Sequence, residues 1–139
     1  MNKENQKEMQ QVYMELQMID QQIRQNQQQA QLIEEKIIEL HSTIESLDDV
    51  KNAKKGSDIL IPVSSGIFAK AQLTEDRSLI INVGADIAVE KDVDGTKSLL
   101  EEQVNNMREI QNQIVSQTEQ LGLKAYTIEK KLQTLVSEK

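Results

Sequence analysis

Residues 59–90 decide the fold, and they read ILIPVSSGIFAKAQLTEDRSLIINVGADIAVE. Four short runs rich in β-branched and other apolar residues are separated by short segments of Ser, Gly, Thr and Asp, which are typical turn formers. The runs predict four strands, and the short separators predict that the strands pair as two β-hairpins. Pro62 has no N–H, so its strand should be an edge strand or bulged at that point. The predicted strands are Ile59–Val63, Ile67–Leu73, Leu79–Val83 and Ile87–Glu90.

These hairpins are more apolar than two-stranded units can accommodate alone. A pair of short hairpins without a second packed layer is marginally stable in water, and exposed apolar strand edges invite pairing with other chains. We therefore predict that the strands are completed by strands of other subunits. The residues expected to make this assembly are Ile59, Ile61, Val63, Ile67, Phe68, Leu79, Ile81, Val83, Ile87 and Val89.

The segment before the hairpins repeats apolar residues at alternating spacings of three and four, which is typical of a coiled-coil helix. Eleven of the twelve seam positions are apolar, and the exception, Asn26, is expected to lower stability and to fix the helix register. One row of seam positions is Met9, Leu16, Ile23, Ala30, Ile37 and Ile44, and the other is Val12, Ile19, Asn26, Ile33, Leu40 and Leu47.

The segment after the hairpins has the same pattern with a more polar second row. We expect Asp94 or Thr96 to cap this helix. The first row is Leu100, Met107, Ile114, Leu121, Ile128 and Leu135, and the second is Val104, Gln111, Thr118, Ala125 and Leu132.

The two heptad arrays match in length, which favours antiparallel pairing with both termini at one end. The predicted fold class is mainly α with a small β part: a long antiparallel two-helix coiled coil joined by two β-hairpins that assemble into an intersubunit β-barrel. We predict one domain over residues 1–139, with helices at about 5–50 and 95–137 and a hairpin region at about 57–92.

Composition argues against an enzyme. The chain has no cysteine and a single histidine, His41, which has no sequence neighbour suited to catalysis or metal binding. No phosphate loop, dinucleotide-binding fingerprint or zinc motif is present. We expect no catalytic residue, no metal and no cofactor.

The charge and hydropathy patterns restrict the partners. The net charge of −7 disfavours nucleic acid, whose phosphates an acidic chain repels. No apolar run of about 18 residues predicts a membrane span, and the polar N-terminus has no signal-peptide pattern. We expect a cytoplasmic protein.

Apolar residues at the two ends of the chain predict a contact surface for a partner. Tyr13, Met14, Met18 and Val136 lie off the seam rows, so two-stranded pairing leaves them partly uncovered. Methionine is flexible and polarizable, which suits contacts without strict shape requirements. The residues chosen as the contact surface, within terminal regions of about 1–20 and 121–139, are Met9, Val12, Tyr13, Leu16, Ile128, Leu132, Leu135 and Val136.

The hairpin sequence resembles a known family. The runs Ile61–Phe68 and Leu79–Ala85, followed by Val89-Glu90-Lys91, are similar to those of the prefoldin α-subunit family in its compact, archaeal type, and the flanking helices match as well. The resemblance implies a hexamer of two α and four β subunits, with the α hairpins at the centre of a double β-barrel. It further implies that the coiled-coil tips hold unfolded polypeptide clients and deliver them to a group II chaperonin without ATP.

An alternative interpretation needs only the helices. The chain could be a coiled-coil tether or spacer that binds one defined partner, with hairpins that join no other subunit. A solution monomer or simple dimer in the presence of a β subunit would favour this alternative.

Overall fold

The structure, a computed structural model, describes residues 3–137. Two long helices, α1 (Lys3–Asn52) and α2 (Val93–Ser137), flank four strands. The strands are β1 (Asp58–Ser64), β2 (Ile67–Gln72), β3 (Leu79–Asn82) and β4 (Ala88–Lys91). The predicted combination of two long helices with two antiparallel hairpins is confirmed. The fourth strand begins after Ile87, which belongs to the turn before it.

The first of two compact units contains residues 3–37 of α1 and residues 107–137 of α2. The helices run antiparallel here, since Glu8 lies 3.4 Å from Lys131 and Glu34 lies 2.7 Å from Arg108. The core of this unit consists of seam residues, because the heptad spacing brings one stripe of each helix to the partner. Its buried cluster is Val12, Ile19, Ile128 and Leu135, against which Met9, Leu16, Ile23, Leu121, Ala125 and Leu132 pack.

The second unit contains residues 38–106, which include both hairpins. Leu40, Leu47, Val93 and Val104 are buried in it. Two ion pairs join the helices: Asp48 Oδ1 with Lys97 Nζ at 2.7 Å, and Lys51 Nζ with Asp94 Oδ1 at 2.8 Å. These ion pairs connect the last turns of α1 with the first turns of α2.

The start of α2 corrects the predicted cap. The helix begins at Val93, and the residue before it, Asp92, accepts a hydrogen bond from the Gly95 N–H at its Oδ1. Thr96 Oγ1 donates to the carbonyl oxygen of Asp92. Asp92 is therefore the N-cap, because the helix starts earlier than its apolar pattern indicates, and both Asp94 and Thr96 lie inside the first turn.

Each hairpin is a separate two-stranded antiparallel sheet. In the first, Ile59 pairs with Ala71 and Leu60 with Lys70, and the register shifts between Pro62 and Ser64. This irregularity directly follows the proline, as expected for a residue that cannot donate to the ladder. In the second hairpin, Ile81 pairs with Val89.

The turn of the second hairpin is backbone-strained. Ala85 and Asp86 have φ values of 50° and 60°, and the Ile87 N–H donates to the Gly84 carbonyl oxygen. Two consecutive residues at positive φ define the type I′ geometry that matches the twist of paired strands. The backbone geometry of this turn therefore suits the antiparallel pairing of β3 with β4.

Candidate functional site

An apolar cavity opens where the N-terminal part of α1 meets the C-terminal part of α2. We call residues 3–23 and 121–137 the terminal segment. The cavity has a volume of about 410 Å³, and Tyr13 is the only ionisable residue among the described residues that line it. Its walls are Met9, Gln10, Tyr13, Met14, Leu132 and Val136.

The heptad pattern explains why this cavity stays open. Tyr13 and Val136 each follow a seam residue by four positions, so they flank the seam without entering it. Tyr13 is 57% exposed and Val136 is 46% exposed. A two-helix pair has no third helix to cover such flanking side chains, which leaves them as a candidate contact surface.

The predicted contact residues separate into two groups in the structure. Met9, Tyr13, Leu132 and Val136 line the apolar cavity. Val12, Ile128 and Leu135 are buried in the seam, and Leu16 is half-buried beside them. The first group faces the cavity, whereas the second holds the helices together. Residues 1, 2, 138 and 139 of the predicted terminal regions lie outside the described residues.

Met14 lines the cavity, although the predicted contact set does not include it. It is 62% exposed and lies next to Tyr13 on α1. Its position five residues after Met9 places it farther from the seam than Tyr13. The signal that identifies it is the helical position of a methionine beside an uncovered aromatic residue.

A second cavity, of about 330 Å³, adjoins the first, because Tyr13 lines both. Its floor is formed by half-buried apolar side chains, and two carboxylates stand at its walls. The residues that define this acidic cavity are Tyr13, Leu16, Gln17, Asp20, Ile23, Ala125 and Glu129. Asp20 also forms an exposed ion pair with Arg24 at 3.0 Å.

The hairpins expose most of the residues predicted to mediate assembly. Ile59, Leu79 and Ile81 are half-buried. The other seven are exposed: Ile61, Val63, Ile67, Phe68, Val83, Ile87 and Val89. Such a density of uncovered apolar side chains on four short strands is typical of a surface that another chain covers.

The pairing register assigns the strand faces that continuous apolar runs leave ambiguous. Ile81 and its partner Val89 share one face, whereas Ile80 and its partner Glu90 share the other. Ile80 is 75% exposed. Leu60, on the face of the first hairpin that carries Lys70, is also exposed. Leu60 and Ile80 are absent from the predicted assembly set.

A polar group interrupts the seam of the first unit. Gln111 Nε2 donates to the Ala30 carbonyl oxygen at 3.3 Å and to Glu34 Oε2 at 2.8 Å. Arg108 Nη1 donates to the same Glu34 oxygen at 2.7 Å. Asn26, by contrast, has a buried Nδ2 that lacks a hydrogen-bond partner among the described residues.

Among residues 3–137, no group of three or more His, Cys, Asp or Glu side chains is placed to hold a metal ion. No helix within the same range is long and apolar enough to cross a membrane.

Known proteins resemble the chain in sequence and in fold. The family described as Prefoldin subunit matches residues 19–138. A prefoldin subunit alpha of Methanococcus aeolicus is 30% identical over 129 residues, covering 93% of this chain and 88% of the relative. The prefoldin subunit alpha of Methanoculleus marisnigri is 26% identical over 133 residues, which cover 96% of this chain and 89% of that protein.

A solved structure shows the same fold. The cryo-EM structure of filamentous PFD from Methanocaldococcus jannaschii contains a chain that superposes with a TM-score of 0.75 at 16% identity. The match covers 83% of this chain and 95% of that chain. At such low identity the comparison supports the arrangement of helices and hairpins, and nothing finer.

Proposed function

This chain belongs to the prefoldin family and is a chaperone subunit, and from that premise we propose that it captures unfolded polypeptides with its terminal segment. The observation that carries the proposal is the apolar cavity between α1 and α2, which no residue of the described chain covers. An unfolded client exposes apolar side chains, and burying one of them there removes apolar surface from water on both partners.

The cavity suits transient binding to many sequences. Met9 and Met14 have flexible side chains that adapt to different shapes. Because the described lining residues are apolar or uncharged apart from the tyrosine hydroxyl, recognition is directed at apolar character rather than at a particular charge pattern within the cavity. A volume of about 410 Å³ is at the lower end of the range for ligand pockets, so each contact is small and reversible.

We propose that assembly multiplies these weak contacts. In this proposal two copies of the chain join four β subunits of one hairpin each, and the hairpins close into a double β-barrel. The support is the exposure of seven of the ten predicted assembly residues on the hairpins. Several weak sites on one platform raise the effective concentration of client, so avidity replaces individual affinity.

The proposal extends to the fate of the client. Shallow contacts release without nucleotide hydrolysis, so the client passes to a group II chaperonin by exchange. We place this activity in the cytoplasm, together with the chaperonin. A tether that binds one defined partner would not require exposed apolar surface on both the hairpins and the terminal segment.

Native mass spectrometry tests the assembly part of the proposal. The chain would be mixed with a one-hairpin β subunit, and we expect a complex of two α and four β chains. A monomer or simple dimer under the same conditions would favour the tether instead.

Truncation tests client capture. Removal of residues 1–20 together with 121–139 should leave the subunit composition of the complex unchanged, because the hairpins remain. When a denatured client protein is diluted out of denaturant, the truncated complex should fail to suppress its aggregation. Full protection by the truncated complex would contradict the assignment of capture to the terminal segment.

A further inference from the structure

We propose that the terminal segment binds its clients along the flank that carries Tyr13, and that it prefers an apolar segment flanked by Lys or Arg. The proposal rests on the proposed function and specifies the client chemistry of the same site. It is carried by the continuity of the apolar and acidic cavities through Tyr13, and by the ion pairs that lie along the opposite flank.

Two ion pairs lie along the opposite flank of the terminal segment, where a cavity of about 350 Å³ is lined by glutamines together with Leu121 and Lys124. Glu8 pairs with Lys131 at 3.4 Å and Glu15 pairs with Lys124 at 3.9 Å. Each of these four residues directly precedes a seam residue, whereas Tyr13 and Val136 follow a seam residue by four positions. In an antiparallel pair these two kinds of position lie on opposite flanks of the seam. Charged and amide side chains border the seam on this flank, whereas apolar side chains line the cavity on the other, so binding of an apolar client segment is directed to the flank that carries Tyr13.

The open flank is apolar at one cavity and carries carboxylates at the next. None of the described residues that line the apolar cavity carries a carboxylate or ammonium group, so a charged client side chain placed against them would lose hydration without gaining a partner. The acidic cavity presents Asp20 from α1 and Glu129 from α2. A cation at that position gains attraction from both walls, although Asp20 is shared with Arg24. The groove therefore favours one or two large apolar side chains followed by a basic one.

The spacing between the two cavities sets the spacing in the client. Asp20 lies six to eleven residues beyond Met9 and Met14 on α1, which corresponds to roughly 9–16 Å along the helix. Glu129 lies three to seven residues from Leu132 and Val136 on α2, or roughly 5–10 Å. An extended chain advances about 3.3 Å per residue, so a basic residue about three positions from the apolar side chain reaches the carboxylates.

Synthetic peptides test the preference directly on the assembled complex. The probes are fluorescent Gly/Ser peptides that carry a Leu-Phe pair with Lys about three residues away on both sides, and matched peptides with Gln or Glu in place of Lys. We expect the Lys peptide to bind about two- to fivefold more tightly than the Gln peptide at low salt, and the Glu peptide to bind most weakly. The difference should shrink as salt is added.

A charge-matched pair of variants separates the local site from the general acidity of the chain. The double variant Asp20→Asn/Glu129→Gln removes two negative charges from the open flank and should abolish the Lys preference. The double variant Glu8→Gln/Glu15→Gln removes two negative charges from the opposite flank and should retain the Lys preference. Equal loss in both variants, or persistence of the preference in the first, would overturn the proposal.

A third variant tests client capture separately from the preference for basic residues. Tyr13→Ser/Val136→Ser should weaken all three peptides alike, because it shrinks the apolar surface that they share. If this variant loses binding but the intact complex does not distinguish Lys from Glu peptides, client capture stands and the basic preference is wrong. If the variant binds every peptide normally, capture by this groove is itself wrong.

Discussion

Arg77 binds the end of α1: its Nη1 donates to the carbonyl oxygen of Lys51 at 2.8 Å and to that of Val50 at 3.1 Å. The last carbonyl groups of a helix have no partner within the helix, and a cation there is also favoured by the helix dipole. Arg77 belongs to the connection between the two hairpins, so these bonds attach that connection to the helix.

Arg77→Ala should therefore destabilise the second unit by about 1.5–3 kcal/mol, the range for hydrogen bonds that involve a charged group. Urea unfolding of the assembled complex would measure the change. The matched control is Arg24→Ala, which removes only an exposed ion pair within α1 and should change stability by under about 0.5 kcal/mol. Equal effects of the two variants would contradict a capping role for Arg77.

The Lys51–Asp94 ion pair should make stability depend on pH at acid values. The hydrogen bond and charge of Lys51 hold the pKa of the Asp94 carboxyl below its ordinary value. A carboxyl whose pKa is lower in the folded state stabilises that state above its ordinary pKa, and the contribution is lost as pH falls through the lowered value. Wild-type complex should therefore exceed Asp94→Asn in thermal midpoint at pH 7, and the gap should close well below pH 4.

The neighbouring Lys97–Asp48 ion pair should lose its contribution to stability at alkaline pH, whereas the Lys51–Asp94 pair loses its contribution at acid pH. The hydrogen bond from Lys97 to Asp48 raises the pKa of the Lys97 ammonium. Its contribution is therefore complete below the ordinary lysine value of about 10.4 and is lost only as pH rises through the raised one.

An Asp94→Asn gap that stayed constant down to the lowest pH would show that Asp94 acts by something other than its charge.

The sequence predicts the helices well because their signal is local and repeated. Every seam residue from Met9 to Leu47 contributes to one periodic pattern, so an isolated exception such as Asn26 does not obscure it. The strands are also recognisable, since Gly66 and Gly84, both at positive φ, lie in the turns that separate paired strands.

Features that depend on distant residues could not be predicted in this way. The face of Ile80 follows from its pairing with Glu90, because a continuous run such as Leu79-Ile80-Ile81 has no alternation to assign faces. The attachment of Arg77 to α1 joins residues more than 25 positions apart. The apolar cavity is partly predictable, since helical position places Tyr13 and Val136 off the seam, but the ion pairs on the other flank depend on the register between the helices.

Gly122→Ala should stabilise the terminal segment. Gly122 lies inside α2, and a Cβ added there meets nothing within 4 Å. Glycine in a helix interior is about 1 kcal/mol less favourable than alanine, so the variant should slow hydrogen exchange of the amides around Leu121 and Leu123. The control Gly66→Ala should instead speed hydrogen exchange of the amides in the first hairpin, because Gly66 has a φ of 78° that disfavours any Cβ. Faster exchange near Gly122 in its variant would contradict this prediction.

Replacing Asn26 by leucine should also stabilise the first unit. The buried Nδ2 of Asn26 has lost its water without a replacement partner in the described chain, and an apolar side chain of similar size removes that cost. We expect a gain of about 1–2 kcal/mol in urea unfolding. Gln111→Leu is the informative comparison, because Gln111 makes two hydrogen bonds across the seam and should show no such gain. A loss of stability in Asn26→Leu would indicate that the asparagine is needed for the helix register.

Adjacent isoleucines on β3 test which hairpin face is covered by other subunits. Ile81 is half-buried and pairs with Val89, so Ile81→Lys would put a charge on an apolar face. If that face closes the barrel, the unpaired buried charge costs about 3–5 kcal/mol and should prevent assembly with β subunits. Ile80→Lys is the matched control, since the new lysine would lie on the exposed face opposite Glu90, where a cross-strand ion pair is mildly favourable. Native mass spectrometry should therefore show the complex with Ile80→Lys and free subunits with Ile81→Lys. Assembly of both variants would mean that neither face is buried between subunits, and loss of assembly in both would mean that the exposed face is covered as well.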